Sequence, residues 1–118
     1  MRRLGAFGAT IALSVALLAP PAVAGARTSG TYHCRLSATK LGHRIEVTFR
    51  LRGSEIDRAW RVRLWDAGVK FADRTRATDA GGRIKVVATT RNRPGPDEIE
   101  GIARDQVAGA RCEVELSV

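Results

Sequence analysis

Cysteine, histidine and aromatic side chains are scarce in this chain of 118 residues, which has two Cys, two His, three Phe, two Trp and one Tyr. Cys34, Cys112, His33 and His43 are scattered, so they offer neither a Cys-x-x-Cys pair nor a four-ligand tetrahedral zinc set. No Gly-x-Ser-x-Gly turn accompanies the histidines. Gly81-Gly82 lacks the Lys-Ser/Thr that completes a phosphate-cradling loop. The acidic residues Asp97, Glu98, Glu100 and Asp105 match no calcium loop, and adjacent side chains on a strand point apart. A chain this short rarely builds the cleft that paired carboxylates need for glycoside hydrolysis. The expectation is therefore a protein with no catalytic residues, no cofactor and no metal. Lysine is also rare: Lys40, Lys70 and Lys85 stand against 17 arginines. Such a bias follows from the codon usage of a GC-rich genome, which weakens any functional reading of arginine as a residue type.

One long uncharged run is present, at the N-terminus. Met1-Arg2-Arg3 is followed by Leu4 to Ala19 without a charge, then by Pro20-Pro21 and Ala22-Val23-Ala24. A short basic start, an apolar stretch and small residues before a cut site are the pattern of a secretory signal peptide, here residues 1–24. A cut after Ala26 fits nearly as well. The apolar run is shorter than the roughly 20 residues that span a bilayer and is broken by Gly, Thr and Ser. Removing residues 1–24 takes away Arg2 and Arg3, so the formal net charge of +8 becomes +6. The expected product is secreted, in oxidising surroundings where two cysteines have one pairing, Cys34 with Cys112. Residues 25–30 read as a flexible tail, and residues 31–118 as the folded domain.

From Thr31 onward the apolar period is two. Arg44 to Arg52 alternates most clearly, with Ile45, Val47, Phe49 and Leu51 on one side and Arg44, Glu46, Thr48, Arg50 and Arg52 on the other. Similar strands are predicted over Thr31–Thr39, Ala59–Trp65, Val69–Ala72, the stretch from Ile84, Glu98–Arg104 and Ala110–Val118, separated by Gly, Pro and Asp turns. Trp60 is the large residue expected to fill the core. Short strands at this spacing, without a helical stripe, predict an all-β antiparallel sandwich of about seven strands with one disulfide; a small closed barrel is the alternative.

The segments Asp79-Ala80-Gly81-Gly82-Arg83-Ile84-Lys85-Val86, Gly95-Pro96-Asp97-Glu98-Ile99 and Ala103-Arg104-Asp105, with Gly109 to Val118, resemble the second half of bacterial immunoglobulin-like (fibronectin III-like) domains, as in small secreted actinobacterial proteins. The first half matches in strand pattern alone. The resemblance implies an immunoglobulin-like sandwich, a fold used for adhesion, wall attachment, ligand carriage or spacing, and it selects none of these.

What remains as a candidate surface is basic. Arg44, Arg50, Arg52, Arg61 and Arg63, with Trp65 continuing the row, are predicted to lie on one outward face if their two strands pair. Guanidiniums beside an indole suit an anionic polymer, through counterion release and stacking. The expected partner is an anionic cell-wall polymer or another extracellular protein, met by a monomer, with no specific nucleic acid and no membrane-integral segment after cleavage. The alternatives are a wall-associated spacer, or a protease inhibitor presenting Arg93 from the Arg91–Pro96 loop.

Overall fold

A computed structural model of the chain describes residues 22–29, as backbone strand, and residues 32–118. The expected signal peptide lies outside the described residues except for its last three positions. Eight strands and no helix are present among the described residues: β1 (Ala22–Ser29), β2 (Tyr32–Leu41), β3 (Arg44–Arg52), β4 (Ala59–Asp66), β5 (Val69–Ala77), β6 (Ile84–Arg91), β7 (Glu98–Asp105) and β8 (Arg111–Ser117). They form two four-stranded antiparallel sheets, β1-β2-β3-β6 (sheet one) and β5-β4-β7-β8 (sheet two). The sheets face each other, with β1 alongside β8 at one border and β6 alongside β5 at the other.

The period-two pattern explains the sandwich directly. Alternate residues of β3, β4, β7 and β8, and most of those of β2 and β6, are buried, and their apolar side chains form one core: Leu36, Phe49 and Trp60 are fully enclosed, as are Ile45, Val47, Val62 and Leu64. Trp60 meets Tyr32 of the opposite sheet edge-to-face, with ring centroids 5.1 Å apart at 74°. Its Nε1–H donates to Ser54 Oγ at 3.0 Å, which satisfies the one polar atom of the indole. Opposite Leu64, β7 carries Gly101. A Cβ at that position would sit 3.1 Å from Leu64 Cδ2 and 3.4 Å from both Leu36 and Phe49, so glycine leaves the room that three large side chains fill.

Cys34 of β2 and Cys112 of β8 are bonded, as expected, with both residues buried and their Cα atoms 6.4 Å apart. The bridge ties sheet one to sheet two at the border where β1 meets β8.

Two segments differ from expectation. Residues 25–29, read as tail, belong to β1 and follow β2 antiparallel, with a register shift between Ala24 and Arg27. Small and polar residues carry no periodic signal in the sequence, and the strand is defined by its backbone pairing to β2. Strand β5 runs to Ala77 instead of ending at Ala72. It is a border strand of sheet two, and only Ala72 along its length is buried. Arg74 and Arg76 stand opposite the buried Val62 and Trp60 yet remain exposed, and such charges discourage pairing with another chain.

Candidate anion-binding face

The five arginines and Trp65 do not share a face. Strand β3 pairs with β2 and β6, whereas β4 pairs with β5 and β7. Consecutive in sequence, β3 and β4 lie in opposite sheets, because residues 53–58 cross between the layers instead of making a hairpin. Arg58 holds that crossing in place. Its N–H donates to Thr78 Oγ1 at 2.8 Å, and its guanidinium donates to Asp105 Oδ2 at 2.7 Å and Glu55 Oε1 at 2.8 Å. Arg44, Arg50 and Arg52 therefore face outward from sheet one, and Arg61, Arg63 and Trp65 from sheet two, on the other side of the molecule.

On sheet two the charges balance in number, and three of the five outward cations are ion-paired. Arg61 binds Asp73 through two parallel bonds, Nε to Oδ1 at 2.9 Å and Nη2 to Oδ2 at 2.7 Å, and Lys70 Nζ adds a third at 3.0 Å. The guanidinium of Arg61, followed by the Lys70 ammonium, holds the Asp73 carboxyl well below the usual carboxylate range. Arg63 lies over the Trp65 ring, 5.6 Å from its centroid, and Arg111 pairs with Glu113. Trp65 is half-buried in this company. The outward cations of this sheet are Arg61, Arg63, Lys70, Arg104 and Arg111, balanced by Asp73, Glu98, Glu100, Glu113 and Glu115.

Sheet one is not balanced. Among the described side chains, those of β2, β3 and β6, its outward cations are Arg35 on β2, Arg44, Arg50 and Arg52 on β3, and Lys85 and Arg91 on β6, against the single carboxylate Glu46. The register sets Arg35 directly opposite Arg50, and Arg50 directly opposite Lys85. One rung further on, Arg52 stands opposite His33. Arg83 enters at the same end, from the turn that precedes β6. With Arg35, Arg50, Arg52 and Lys85 it lines an open depression of about 610 Å³ whose floor includes Cys34, Leu51 and Ile84. Among the described residues none of these five cations lies within ion-pair distance of a carboxylate. Asp79, also at the rim, spends its Oδ1 on the backbone N–H groups of Gly81 and Arg83, at 2.8 and 3.0 Å.

Arg50 and Arg52 thus belong to a cluster whose other members, Arg35, Arg83 and Lys85, the sequence reading left out. All three sit at outward or turn positions of the alternating pattern. Only the strand order β2-β3-β6 makes them neighbours. Arg44 is six residues from Arg50 along β3, about 20 Å away. It lies at the opposite end of the face, lining a second depression with His43 and Arg91.

The remaining candidates are occupied or dispersed. Arg93 Nη1 donates to Asp66 Oδ2 at 3.0 Å, and Asp66 is 1% exposed. The same oxygen accepts from Thr90 Oγ1 at 3.0 Å. The arginine proposed to enter a protease is therefore turned back onto its own scaffold. Asp97 and Asp105 are buried at opposite ends of β7, so the acidic residues form no cluster. Among the described residues no three His, Cys, Asp or Glu side chains are grouped to hold a metal, and no helix is long and apolar enough to cross a membrane.

No family model matches this chain, and no curated protein matches it.

Proposed function

We propose that the chain is a secreted, monomeric, immunoglobulin-like binding module without catalysis of its own, and that the outer face of sheet one holds it to an anionic component of the cell envelope. One observation carries the reading. Two four-stranded faces built from one composition differ in charge among their described side chains, six cations to one carboxylate on sheet one and five to five on sheet two. Codon bias supplies arginines to both faces alike, so it does not explain why carboxylates accompany them on only one. The disulfide supports an oxidising compartment. The strand order, with β3 beside β6 and β4 beside β7 in facing sheets, supports the immunoglobulin-like assignment.

The test is co-sedimentation of the protein with intact Gram-positive cell walls at low and high salt. Retention is expected at low salt and should fall steeply as salt rises, because each neutralised anionic site releases counterions. Arg35→Glu with Lys85→Glu should abolish it, whereas Arg61→Glu with Arg104→Glu should not. Equal loss from both pairs, or no retention at low salt, overturns the reading.

A further inference from the structure

Within that face, and resting on the reading of it as the working surface, we propose that the depression lined by Arg35, Arg50, Arg52, Arg83 and Lys85 is a phosphate-binding site that takes successive phosphodiester groups of a polyol phosphate polymer. Like charges directly opposite one another destabilise a sheet, and here three stand in one transverse row, Arg35, Arg50 and Lys85. On sheet two the comparable row Arg61-Arg104-Arg111 is relieved at both ends by carboxylates, Asp73 on Arg61 and Glu113 on Arg111. In the depression the one carboxylate, Asp79, is turned to backbone N–H groups and anchors the turn that presents Arg83.

That turn is fixed from the other side as well. Gly82 has φ +70° and approaches Ser54 so closely that a Cβ would lie 2.1 Å from the Ser54 carbonyl oxygen, and Ser54 N–H donates to Gly82 O at 3.2 Å. Below, the disulfide pins Cys34 in the floor. The cations are thus held on a rigid frame, and the missing counter-charge is left for a ligand.

The arrangement selects among anions. Rows about 5 Å apart across strands and about 7 Å apart along them present several guanidiniums at once, which suits a chain of repeated charges better than a single one. A guanidinium fork matches two oxygens of one phosphate. No Phe, Tyr or Trp lines the depression, and the exposed part of Trp65 is on the other sheet, so nucleobases find the His33 imidazole as their one stacking surface there. A polymer of polyol and phosphate needs none.

Calorimetric titration of the purified chain would use unacylated poly(glycerol phosphate), poly-L-glutamate and oligo(dT) of matched charge number. Poly(glycerol phosphate) should bind at least about tenfold more tightly than either of the others. Arg35→Ser with Arg50→Ser should lower its affinity and reduce the slope of log K against log salt by about 0.7 per arginine removed. The same variant should keep its melting temperature, since a repulsion has been removed, so lost binding would not be lost folding. Arg61→Ser with Arg104→Ser should bind as the parent does. Equal affinity for polyglutamate or oligo(dT), or no effect of the first variant, overturns the phosphate site. Salt-sensitive wall retention that poly(glycerol phosphate) fails to displace also overturns it, while leaving the basic-face reading intact. Absence of wall retention overturns both.

Discussion

Arg58 reaches from the connection between the two sheets to Asp105 at the far end of β7, donating from Nη1 to Oδ2 at 2.7 Å, and Asp105 is only 5% exposed. The other carboxylate oxygen accepts from the N–H groups of Val107 at 2.8 Å and Ala108 at 3.0 Å. The crossing of the chain from sheet one to sheet two is therefore fastened by one carboxylate with three donors. Burial pushes the Asp105 carboxyl up, but the Ala108 and Val107 N–H groups and the Arg58 guanidinium outweigh it and hold the group below its usual range.

That arrangement predicts a pH dependence. Asp105 and Asp73 both have lowered values in the folded state, so the stability they contribute is fully present above the unfolded carboxylate value near pH 4 and is lost as pH falls through the folded values. Urea unfolding should give a stability that is flat from about pH 7 to 5 and falls below about pH 4. Asp105→Ala should cost about 2–3 kcal/mol at neutral pH by leaving buried donors unmatched, and should make the acid fall shallower.

Replacing Cys34 and Cys112 together with Ala frees a crosslink that spans 78 positions of sequence. The chain-entropy model puts its contribution at about 4–4.5 kcal/mol. In a domain of this size the melting temperature should drop by well over ~10 °C. A melt unchanged from the parent would show that the bridge does not form.

Arg50→Glu converts the row Arg35-Arg50-Lys85 into alternating charge. Two unfavourable cross-strand pairs become favourable, and the variant should gain about 0.5–1 kcal/mol. The gain should shrink in high salt, where exposed charges are screened. Thermal unfolding at two ionic strengths checks both statements. A destabilised variant would show that Arg50 has a packing role the exposed face does not reveal.

Arg93→Ala removes one of two donors to a buried carboxylate oxygen of Asp66. Thr90 remains and the guanidinium is 43% exposed, so the expected cost is modest, about 1–2 kcal/mol by urea unfolding. The parent protein should not inhibit trypsin, because its Arg93 guanidinium is already held. Inhibition that Arg93→Ala abolishes would restore the 91–96 loop as a working element.

The inward faces were legible residue by residue. Alternation placed Ile45, Val47, Phe49 and Leu51 together, and likewise Cys112, Val114 and Leu116, because a strand with one buried side must repeat every second residue. Two of the four border strands escape that rule. β1 is small and polar, and β5 carries Lys70, Asp73, Arg74 and Arg76, so neither announces its length.

The basic surface was legible only in part. Alternation puts Arg50 and Arg61 outward, but it is silent on which side of the molecule outward is. Sequence adjacency suggested that β3 and β4 pair, and the crossing at residues 53–58 sends them to different layers. Arg35 and Lys85, distant along the chain, became the neighbours of Arg50 instead.

Local periodicity by itself determined the six alternating strands, their apolar buried set and, with only two cysteines present, the single disulfide, since each depends on one strand's own pattern or on there being two cysteines. Tertiary structure alone decided where charge accumulates. A surface patch is a property of strand order, and strand order is set by long-range pairing and by how two sheets close over one core, neither of which a residue's near neighbours encode.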